Sequence, residues 1–263
     1  TSPGQITRPI SLTMEEQAWI EKGHTVRVRV GDYPPTYFVE NGKPYGIGID
    51  LLNEVSRRTG VAFQFIVPSP AFKEDLEGLI QHTGPDLLPT LQATPEREKE
   101  ILFTDAYFVN PRFIFTRDDA PFVSSIEELS GKTVAVENGF LVHKWLREKY
   151  PEITLLSFKN TTDALKALSL GKAFAYIGPI RVTATLINKN GYVNLKASAP
   201  SSLPDGFAQM GLRNDWPELQ SIIKKVLNSI PPDEKSQIIN KWTPIKFEHG
   251  ISSHDVVKWI LIS

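Results

Sequence analysis

Residues 85–108 read PDLLPTLQATPEREKEILFTDAYF, a stretch that combines a predicted strand with an unusual turn. The apolar run at 85–91 predicts a buried strand. Thr94 followed by Pro95 is typical of a helix start, because the Thr side chain caps free N–H groups and Pro suits the first helical position. The third helical position normally favours Glu or Gln, but Arg97 occupies it here. Since a cation at this end of a helix costs roughly 0.3–1 kcal/mol, Arg97 calls for a functional explanation.

The composition limits the possible functions. The chain has 263 residues, of which 41% are hydrophobic and 22% are charged, and its net charge is -1. This is typical of one large globular domain or of two lobes, and the absence of a basic run argues against nucleic-acid binding. No uninterrupted apolar segment reaches the roughly 18 residues that a membrane helix needs. The chain contains no cysteine and five scattered histidines, so we expect neither a metal site nor a cofactor.

Predicted strands and helices alternate along the chain. Helices are expected at 46–60, capped by Asp50, after Thr94, and at 140–150. Strands are expected at 26–30, 63–68, 85–91, 112–117, 132–137, 153–158, 173–178 and 207–213. This alternation predicts mostly parallel sheets that are flanked by helices.

The alternation restarts after residue 125, which predicts an α/β protein of two lobes. Lobe 1 is expected to be discontinuous, lobe 2 to lie between its parts, and a leader with a helix to precede them. The boundaries are 1–25 for the leader, 26–116 and 204–245 for lobe 1, and 117–203 for lobe 2. Because ligands of open α/β sheets bind beyond the carboxyl ends of the strands, we expect the ligand in the cleft between the lobes.

Three segments carry a family resemblance. They are DYPPTYFVENGKPYGIGIDLL (32–52), the stretch quoted above, and GKTVAVENG (131–139). Together they resemble the family-3 periplasmic solute-binding domains over about residues 26–243. The resemblance implies a type II periplasmic-binding-protein fold, a two-lobed Venus flytrap that closes on amino acids or related small solutes.

Two further segments resemble the sensor domains of BvgS-like histidine kinases. They are LTMEEQAWIEKGHTVRV (12–28) and GKAFAYIGPIRVTATLI (171–187). This resemblance implies a periplasmic domain of an inner-membrane kinase that acts as a homodimer. The tail at 246–263 is then expected to be a membrane-proximal linker, and the alternative is an amphipathic helix that packs on a lobe.

The resemblance explains Arg97. In the family, the Arg of a Thr-x-x-Arg motif pairs with the carboxylate of the ligand. A guanidinium offers a planar pair of donors to a carboxylate, and a helix start adds free N–H groups. The alternative is an internal salt bridge with Glu98, Glu100 or Asp105, which would be worth roughly 0–1 kcal/mol at the surface.

The resemblance also implies further ligand contacts from lobe 1. The loop after the first strand normally places an aromatic ring against the ligand, and here it contains Asp32, Tyr33 and Tyr37. Thr90 and Gln92 fall where family members offer polar groups to the carboxylate. Both have the alternative of being ordinary strand-end residues, and Tyr107 is expected to pack within the lobe near the hinge.

Lobe 2 departs from the family pattern. After Asn138, a Gly-Thr pair is common in amino-acid receptors, but this chain has Gly139 and Phe140. An Asp that pairs with the ligand ammonium is also common, but Pro179 follows Gly178 at that position.

A buried ammonium without a partner would cost several kcal/mol, which disfavours an ordinary amino acid. Asp32 or Glu137 could replace the missing Asp. A carboxylate without an amine, or an aromatic acid against Tyr33 and Phe140, fits equally well. A closed domain that needs no ligand is a further alternative.

The sequence therefore predicts a ligand-sensing domain of a membrane histidine kinase that binds a small solute, with a carboxylate as the expected group. One alternative is a soluble periplasmic receptor of an ABC importer. A minor alternative is a dehydratase-like enzyme that uses Glu137, Asp32 or His143. The enzyme is disfavoured because these candidate groups form no paired acid and base with recognisable spacing. Glu137 is expected at the surface, at the end of its strand.

Overall fold

A computed structural model describes residues 10–66 and 71–242 of the chain. The tail at 246–263, where the linker is expected, lies outside the described residues. So do residues 1–9 of the leader and 243–245 of lobe 1. Up to residue 117 the elements are α1 (Met14–Glu21), β1 (Thr25–Arg29), β2 (Phe38–Glu40), β3 (Lys43–Tyr45), α2 (Ile47–Thr59), β4 (Ala62–Ile66), α3 (Phe72–Ile80), β5 (Leu87–Leu91), β6 (Ile101–Phe103), β7 (Phe108–Asn110) and β8 (Arg112–Arg117). From residue 133 they are β9 (Thr133–Glu137), α4 (Leu141–Lys149), β10 (Thr154–Phe158), α5 (Thr161–Ser169), β11 (Ala175–Pro179), α6 (Ile180–Asn190), β12 (Leu195–Pro200), β13 (Gly206–Arg213), α7 (Pro217–Ser229) and α8 (Pro232–Trp242).

The strands form two main sheets, one in each lobe. The first sheet has the order β4-β1-β5-β13-β6, with β7 paired to β13, and the second has the order β10-β9-β11-β8-β12. Helices cover both faces of the first sheet. Successive residues of β5 therefore pack into different apolar clusters. Leu87 packs in the cluster that includes Ile47, whereas Leu88 packs with Leu79 on the other face.

Each sheet contains parallel and antiparallel pairs. In the first sheet β1 runs parallel to β4 and β5, and in the second β9 runs parallel to β10 and β11. The strands β13 and β8, by contrast, run antiparallel to their neighbours in their respective sheets. Both strands follow a crossing between the lobes. Each of these two strands starts at the cleft and runs away from it. The parallel strands end at the cleft with their carboxyl ends, so the two directions are opposite.

Strand β8 belongs to the second sheet, so the boundary between the lobes lies earlier in the chain than predicted. The sequence predicts that residues up to 116 belong to lobe 1, but Arg112–Arg117 pairs with both β11 and β12. The chain therefore leaves the first lobe before residue 112. It returns in the loop before Gly206, where β13 begins beside β7.

The helix predicted at 46–60 forms, but Asp50 does not cap it. The cap position is Gly46, whose φ of 124° suits glycine, and a Cβ there would lie 2.5 Å from the Thr36 carbonyl oxygen. The first N–H groups of α2 donate to the carbonyls of the loop before β2, from Ile47 N to Pro35 O and from Gly48 N to Thr36 O, both at 2.9 Å. This clamp fixes the Tyr33–Tyr37 loop on the helix.

Asp50 lies one turn into the helix and holds α8 instead. Its Oδ2 accepts hydrogen bonds from Lys241 Nζ at 2.8 Å and from the indole N–H of Trp242 at 2.7 Å. The residue that the sequence analysis takes as a cap is therefore a tertiary contact.

The helix predicted after Thr94 is a single 3₁₀ turn over Arg97–Lys99. The capping bond forms, since Arg97 N donates to Thr94 Oγ1 at 3.3 Å. The turn cannot extend into an α-helix, because β6 begins at Ile101. Thr94 therefore acts as predicted in the first turn, but the sheet takes the residues that would have continued the helix.

Asp86 joins three strands of the first sheet. It is buried, and it accepts hydrogen bonds from Arg27 N, Nε and Nη2, each at 2.9 Å, and from Arg213 Nη1 at 2.8 Å. Burial of Asp86 acts to raise its pKa, but the hydrogen bonds from Arg27 and Arg213 outweigh this effect, so the pKa lies below its ordinary value. The ionised carboxylate thus connects β1 and β13 across the start of β5.

We expect Asp86→Asn to lower the free energy of unfolding by about 3 kcal/mol. This is the low end of the range for breaking a buried ion pair, because Arg27 is partly exposed. Urea unfolding followed by tryptophan fluorescence measures the change. The matched control is Asp119→Asn, which removes an exposed partner of Arg117 and should cost less than about 1 kcal/mol. Equal losses in the two variants would contradict the role of Asp86.

Candidate functional site

A cavity of about 90 Å³ lies between the two lobes. Its wall includes the 3₁₀ turn, the end of β5, the Tyr33–Tyr37 loop and the start of α4, and both crossing segments also contribute. Six of the residues that the sequence analysis proposes for the site line it. They are Tyr33, Tyr37, Thr90, Gln92, Arg97 and Phe140.

Aromatic side chains close the cavity from both lobes. Tyr33 stacks on Tyr37 with 5.6 Å between ring centroids, and Phe140 packs edge-on against Tyr33 at 6.1 Å and against Phe72 at 4.7 Å. Arg29 holds Tyr37 in place by donating from Nη1 to its hydroxyl at 2.6 Å. The two lobes therefore meet through an apolar wall that can accept the hydrocarbon part of a ligand.

Arg97 lies at the junction of the lobes. Its Nη1 donates to the main-chain oxygen of Gln92 at 2.9 Å, and its Nη2 donates to the carbonyl of Gly139 in the second lobe at 3.4 Å. Burial lowers the pKa of Arg97 to about 10, which leaves the group charged at neutral pH.

The predicted alternative for Arg97, an internal salt bridge, does not form. Among the described residues, no carboxylate lies within 4.0 Å of its guanidinium. Asp105 instead pairs with Lys224 at 3.1 Å, and Glu98 and Glu100 are exposed. Arg97 therefore brings a positive charge to the cavity that described carboxylates do not neutralise by direct contact.

Arg112 is a cavity residue that sequence reasoning missed. It is buried at the start of β8, and its Nη2 donates to the side-chain oxygen of Gln92 at 2.6 Å. Its Nη1 donates to the Pro204 carbonyl, and its guanidinium lies over the Trp145 ring at 5.0 Å from the ring centroid. Burial lowers the pKa of Arg112. The available signal was an Arg at the cleft end of the predicted strand, directly before the apolar residues 113–115.

Glu137 is buried, not at the surface as predicted. Only 1% of it is exposed, and its Oε1 accepts hydrogen bonds from Thr161 Oγ1 at 2.6 Å and from the Tyr176 hydroxyl at 2.8 Å. Burial raises the pKa of Glu137, although these hydrogen bonds oppose the rise. The start of α5 covers the end of β9. The sequence of β9 alone does not indicate this contact.

Four of the proposed site residues lie outside the cavity wall. Asp32 is exposed and links the lobes, accepting from Lys189 Nζ at 3.0 Å and from Thr162 Oγ1 at 3.1 Å. Asn138 and Gly139 line an outer groove.

Gly178, the fourth of these residues, makes room for a neighbouring ring. A Cβ at this position would lie 2.3 Å from the Tyr176 hydroxyl. Any side chain there would displace the ring that donates to Glu137.

Thr90 and Tyr107 form one polar unit at the lobe 1 side of the cavity. Their hydroxyls lie 2.6 Å apart, and the Tyr107 hydroxyl also donates to the Pro89 carbonyl at 2.9 Å. Tyr107 is buried in the core of the first lobe, as predicted.

The described residues contain no cluster of three or more His, Asp or Glu side chains that could hold a metal ion. His143 is half-buried on α4, and burial lowers its pKa. Within the part of the chain that the structure covers, no helix has the length and apolar character needed to cross a bilayer.

Comparison with known families and structures agrees with this architecture. The sequence model of the bacterial extracellular solute-binding proteins, family 3, matches residues 26–245. The crystal structure of the Bordetella pertussis BvgS periplasmic VFT2 domain superimposes with a TM-score of 0.78 at 25% identity. The match covers 89% of this chain and 99% of that domain. The predicted two-lobed α/β Venus flytrap fold is confirmed.

Two curated proteins represent different kinds of relatives. The sensor protein EvgS of Escherichia coli (strain K12) is 28% identical over 240 residues, which cover 90% of this chain and 20% of EvgS. The putative ABC transporter arginine-binding protein 2 of the same strain is 27% identical over 222 residues, covering 80% of this chain and 86% of that protein. The chain thus spans about a fifth of the length of the curated sensor proteins it matches.

We expect Glu137→Gln to change how stability depends on pH. The raised pKa means that the folded protein binds the Glu137 proton more tightly than the unfolded chain does. The contribution of this group is therefore complete below its ordinary pKa of 4.5 and is lost as pH rises toward the folded value. Each unit of rise corresponds to about 1.4 kcal/mol. Gln keeps an oxygen acceptor for Thr161 and Tyr176 but does not titrate.

Chemical unfolding of the parent and the variant between pH 4 and 8 tests this expectation. The stability of Glu137→Gln relative to the parent should increase with pH and then level off. The control, Glu152→Gln, changes an exposed carboxylate and should follow the parent. A pH-independent difference for Glu137→Gln would show that Glu137 titrates normally.

Proposed function

The chain belongs to the bacterial extracellular solute-binding proteins of family 3, and we propose that its cleft binds a small solute whose carboxylate pairs with Arg97. The observation that carries this proposal is a guanidinium in the cavity wall that donates only to neutral carbonyl oxygens, those of Gln92 and Gly139. A carboxylate would supply the missing negative charge and accept two parallel hydrogen bonds. Thr90 and Gln92 lie in the same wall and can add polar contacts.

The bonds of Arg97 also couple binding to lobe closure. Arg97 belongs to lobe 1, and its Nη2 reaches the Gly139 carbonyl of lobe 2. Further contacts cross the cleft from Lys144 to Glu96 at 3.3 Å and from Lys189 to Asp32 at 3.0 Å. These outer pairs are exposed and individually weak. A solute that contacts both lobes favours the closed state in proportion to its higher affinity for that state.

The biological role follows by analogy with the sensor relatives. We propose that the chain is the periplasmic ligand-sensing domain of an inner-membrane histidine kinase, which transmits lobe closure to the membrane and acts as a homodimer. Similarity to EvgS and to the BvgS VFT2 domain supports this role. Phosphorylation of the full-length protein in membrane vesicles, measured with and without solute on the periplasmic side, tests it. A solute that binds the domain but leaves phosphorylation unchanged would contradict it.

A soluble receptor of an ABC importer is the second candidate. It is favoured by the similarity to an ABC transporter arginine-binding protein, which the chain matches over most of that protein's length. In that case the solute should be taken up by cells in a manner that depends on this protein. The two roles are distinguished by uptake of labelled solute and by kinase activity.

We expect a carboxylate solute to raise the melting temperature of the parent domain and to have no effect on Arg97→Ala. Ligand at 100 times its dissociation constant adds about 2.7 kcal/mol of stability, which corresponds to a shift of several degrees. Differential scanning fluorimetry against a panel of small carboxylates, amino acids and amines measures the shift. Lys99→Ala, an exposed change in the same 3₁₀ turn, is the control and should respond like the parent.

If Arg97→Ala responds like the parent, the carboxylate does not bind Arg97. If amines shift the parent and carboxylates do not, the proposed ligand class is wrong.

A further inference from the structure

We infer that the solute is a dicarboxylate and that Arg112 binds its second carboxylate. The inference rests on the proposed function of Arg97 as the partner of the first carboxylate. It adds the chemical class of the solute and a second anion-binding residue in the same cavity.

The two guanidinium groups converge on one residue. Arg97 Nη1 donates to the main-chain oxygen of Gln92 at 2.9 Å, and Arg112 Nη2 donates to the side-chain oxygen of the same Gln92 at 2.6 Å. Both arginines line the cavity. They approach from different lobes, since Arg97 follows β5 of the first sheet and Arg112 begins β8 of the second. Because a single Gln spans the gap, a short ligand with two acidic groups can reach both.

Arg112 lacks the counter-charge that three other buried or partly buried arginines of the described residues have. Within the described residues, Arg29 pairs with Asp75, Arg58 with Glu54, and Arg213 with Asp86 at 2.8 Å.

Arg112 has no described carboxylate within 4.0 Å. It is 7% exposed, its hydrogen bonds go to neutral oxygens, and its Nε is buried without a hydrogen-bond partner. A buried cation without a partner is costly, so this position favours an anion that arrives from outside.

The nearest acidic groups do not contact the Arg112 guanidinium. Asp205 and Glu137 both contribute favourable electrostatic interactions with Arg112, but neither described carboxylate lies within 4.0 Å of it. Glu137 also lines the cavity, and burial raises its pKa. Asp32 is engaged with Lys189 and lies outside the cavity wall.

This charge pattern disfavours a cationic ligand. The wall contains Pro179 where the family commonly has an Asp for the ligand ammonium. An arginine ligand would bring two cationic groups toward Arg97 and Arg112, and like charges repel strongly in a buried site. We therefore expect this chain to differ in specificity from the arginine-binding protein to which it is similar.

Isothermal titration calorimetry on the purified chain tests the inference. The ligands are the dicarboxylates malonate, succinate, glutarate and adipate, the monocarboxylates propionate, butyrate, valerate and hexanoate, and L-arginine. At least one dicarboxylate should bind about tenfold or more tightly than the monocarboxylate with the same number of carbons. Arg112→Gln should reduce the affinity for that dicarboxylate to the monocarboxylate level.

The matched control is Arg117→Gln at the other end of β8. Arg117 pairs with the exposed Asp119 at 3.0 Å and does not line the cavity, so this variant should keep the preference for dicarboxylates. Circular dichroism checks that each variant is folded. The comparison of ligands on the parent protein needs no variant, so it decides the inference even if Arg112→Gln does not fold.

Two kinds of result would overturn the inference, and they differ in whether the proposed function of Arg97 still stands. If dicarboxylates and monocarboxylates bind equally and both depend on Arg97, the inference fails and the proposed function stands. If only arginine binds and its binding depends on Arg97, the inference fails and the proposed function stands. If no carboxylate-bearing ligand binds, the proposed function fails as well.

Discussion

The double crossing of the chain between its two sheets is the constraint on which the site depends. The first crossing ends where β8 begins at Arg112, and the second ends where β13 begins at Gly206. The two segments hydrogen-bond to each other, since Gly206 pairs with Asn110 and Ser201 N donates to the Arg112 carbonyl at 2.8 Å. Both segments line the cavity. The same contacts that join the lobes therefore also place Arg112 at the cavity.

Arginines in the first lobe are paired with carboxylates, whereas the arginines at the cavity have no such partner among the described residues. The ion pairs of Asp86 and Asp75 with arginines stabilise the first lobe. At the cleft, by contrast, the hydrogen bonds of Arg97 and Arg112 go only to neutral acceptors. Because an unpaired buried charge lowers stability, this arrangement is better explained by binding than by folding. The aromatic wall supplies the apolar surface that a small organic ligand needs.

The order and type of most elements could be predicted from sequence, because helical and strand periodicities are local properties. Arg97 could also be identified, since its position in a Thr-Pro turn contradicts the usual charge preference. The short strands β2, β3, β6 and β7 were missed, each being three residues long. The partners of β8 were misjudged because sheet pairing depends on residues far along the chain.

The remaining differences arise from tertiary contacts. Glu137 ends a strand, so its sequence position is compatible with exposure, but Thr161 and Tyr176 bury it. Asp50 resembles a helix cap, but it binds Lys241 and Trp242. These contacts join residues separated by 24 to 192 positions, which local patterns do not report.

The most direct test of the account is a crystal structure of this chain with the dicarboxylate that binds it most tightly. We expect one carboxylate on the guanidinium of Arg97 and the other on that of Arg112, with the carbon chain against the aromatic wall. A dicarboxylate that binds elsewhere, or a cavity in which neither guanidinium contacts the ligand, would contradict it.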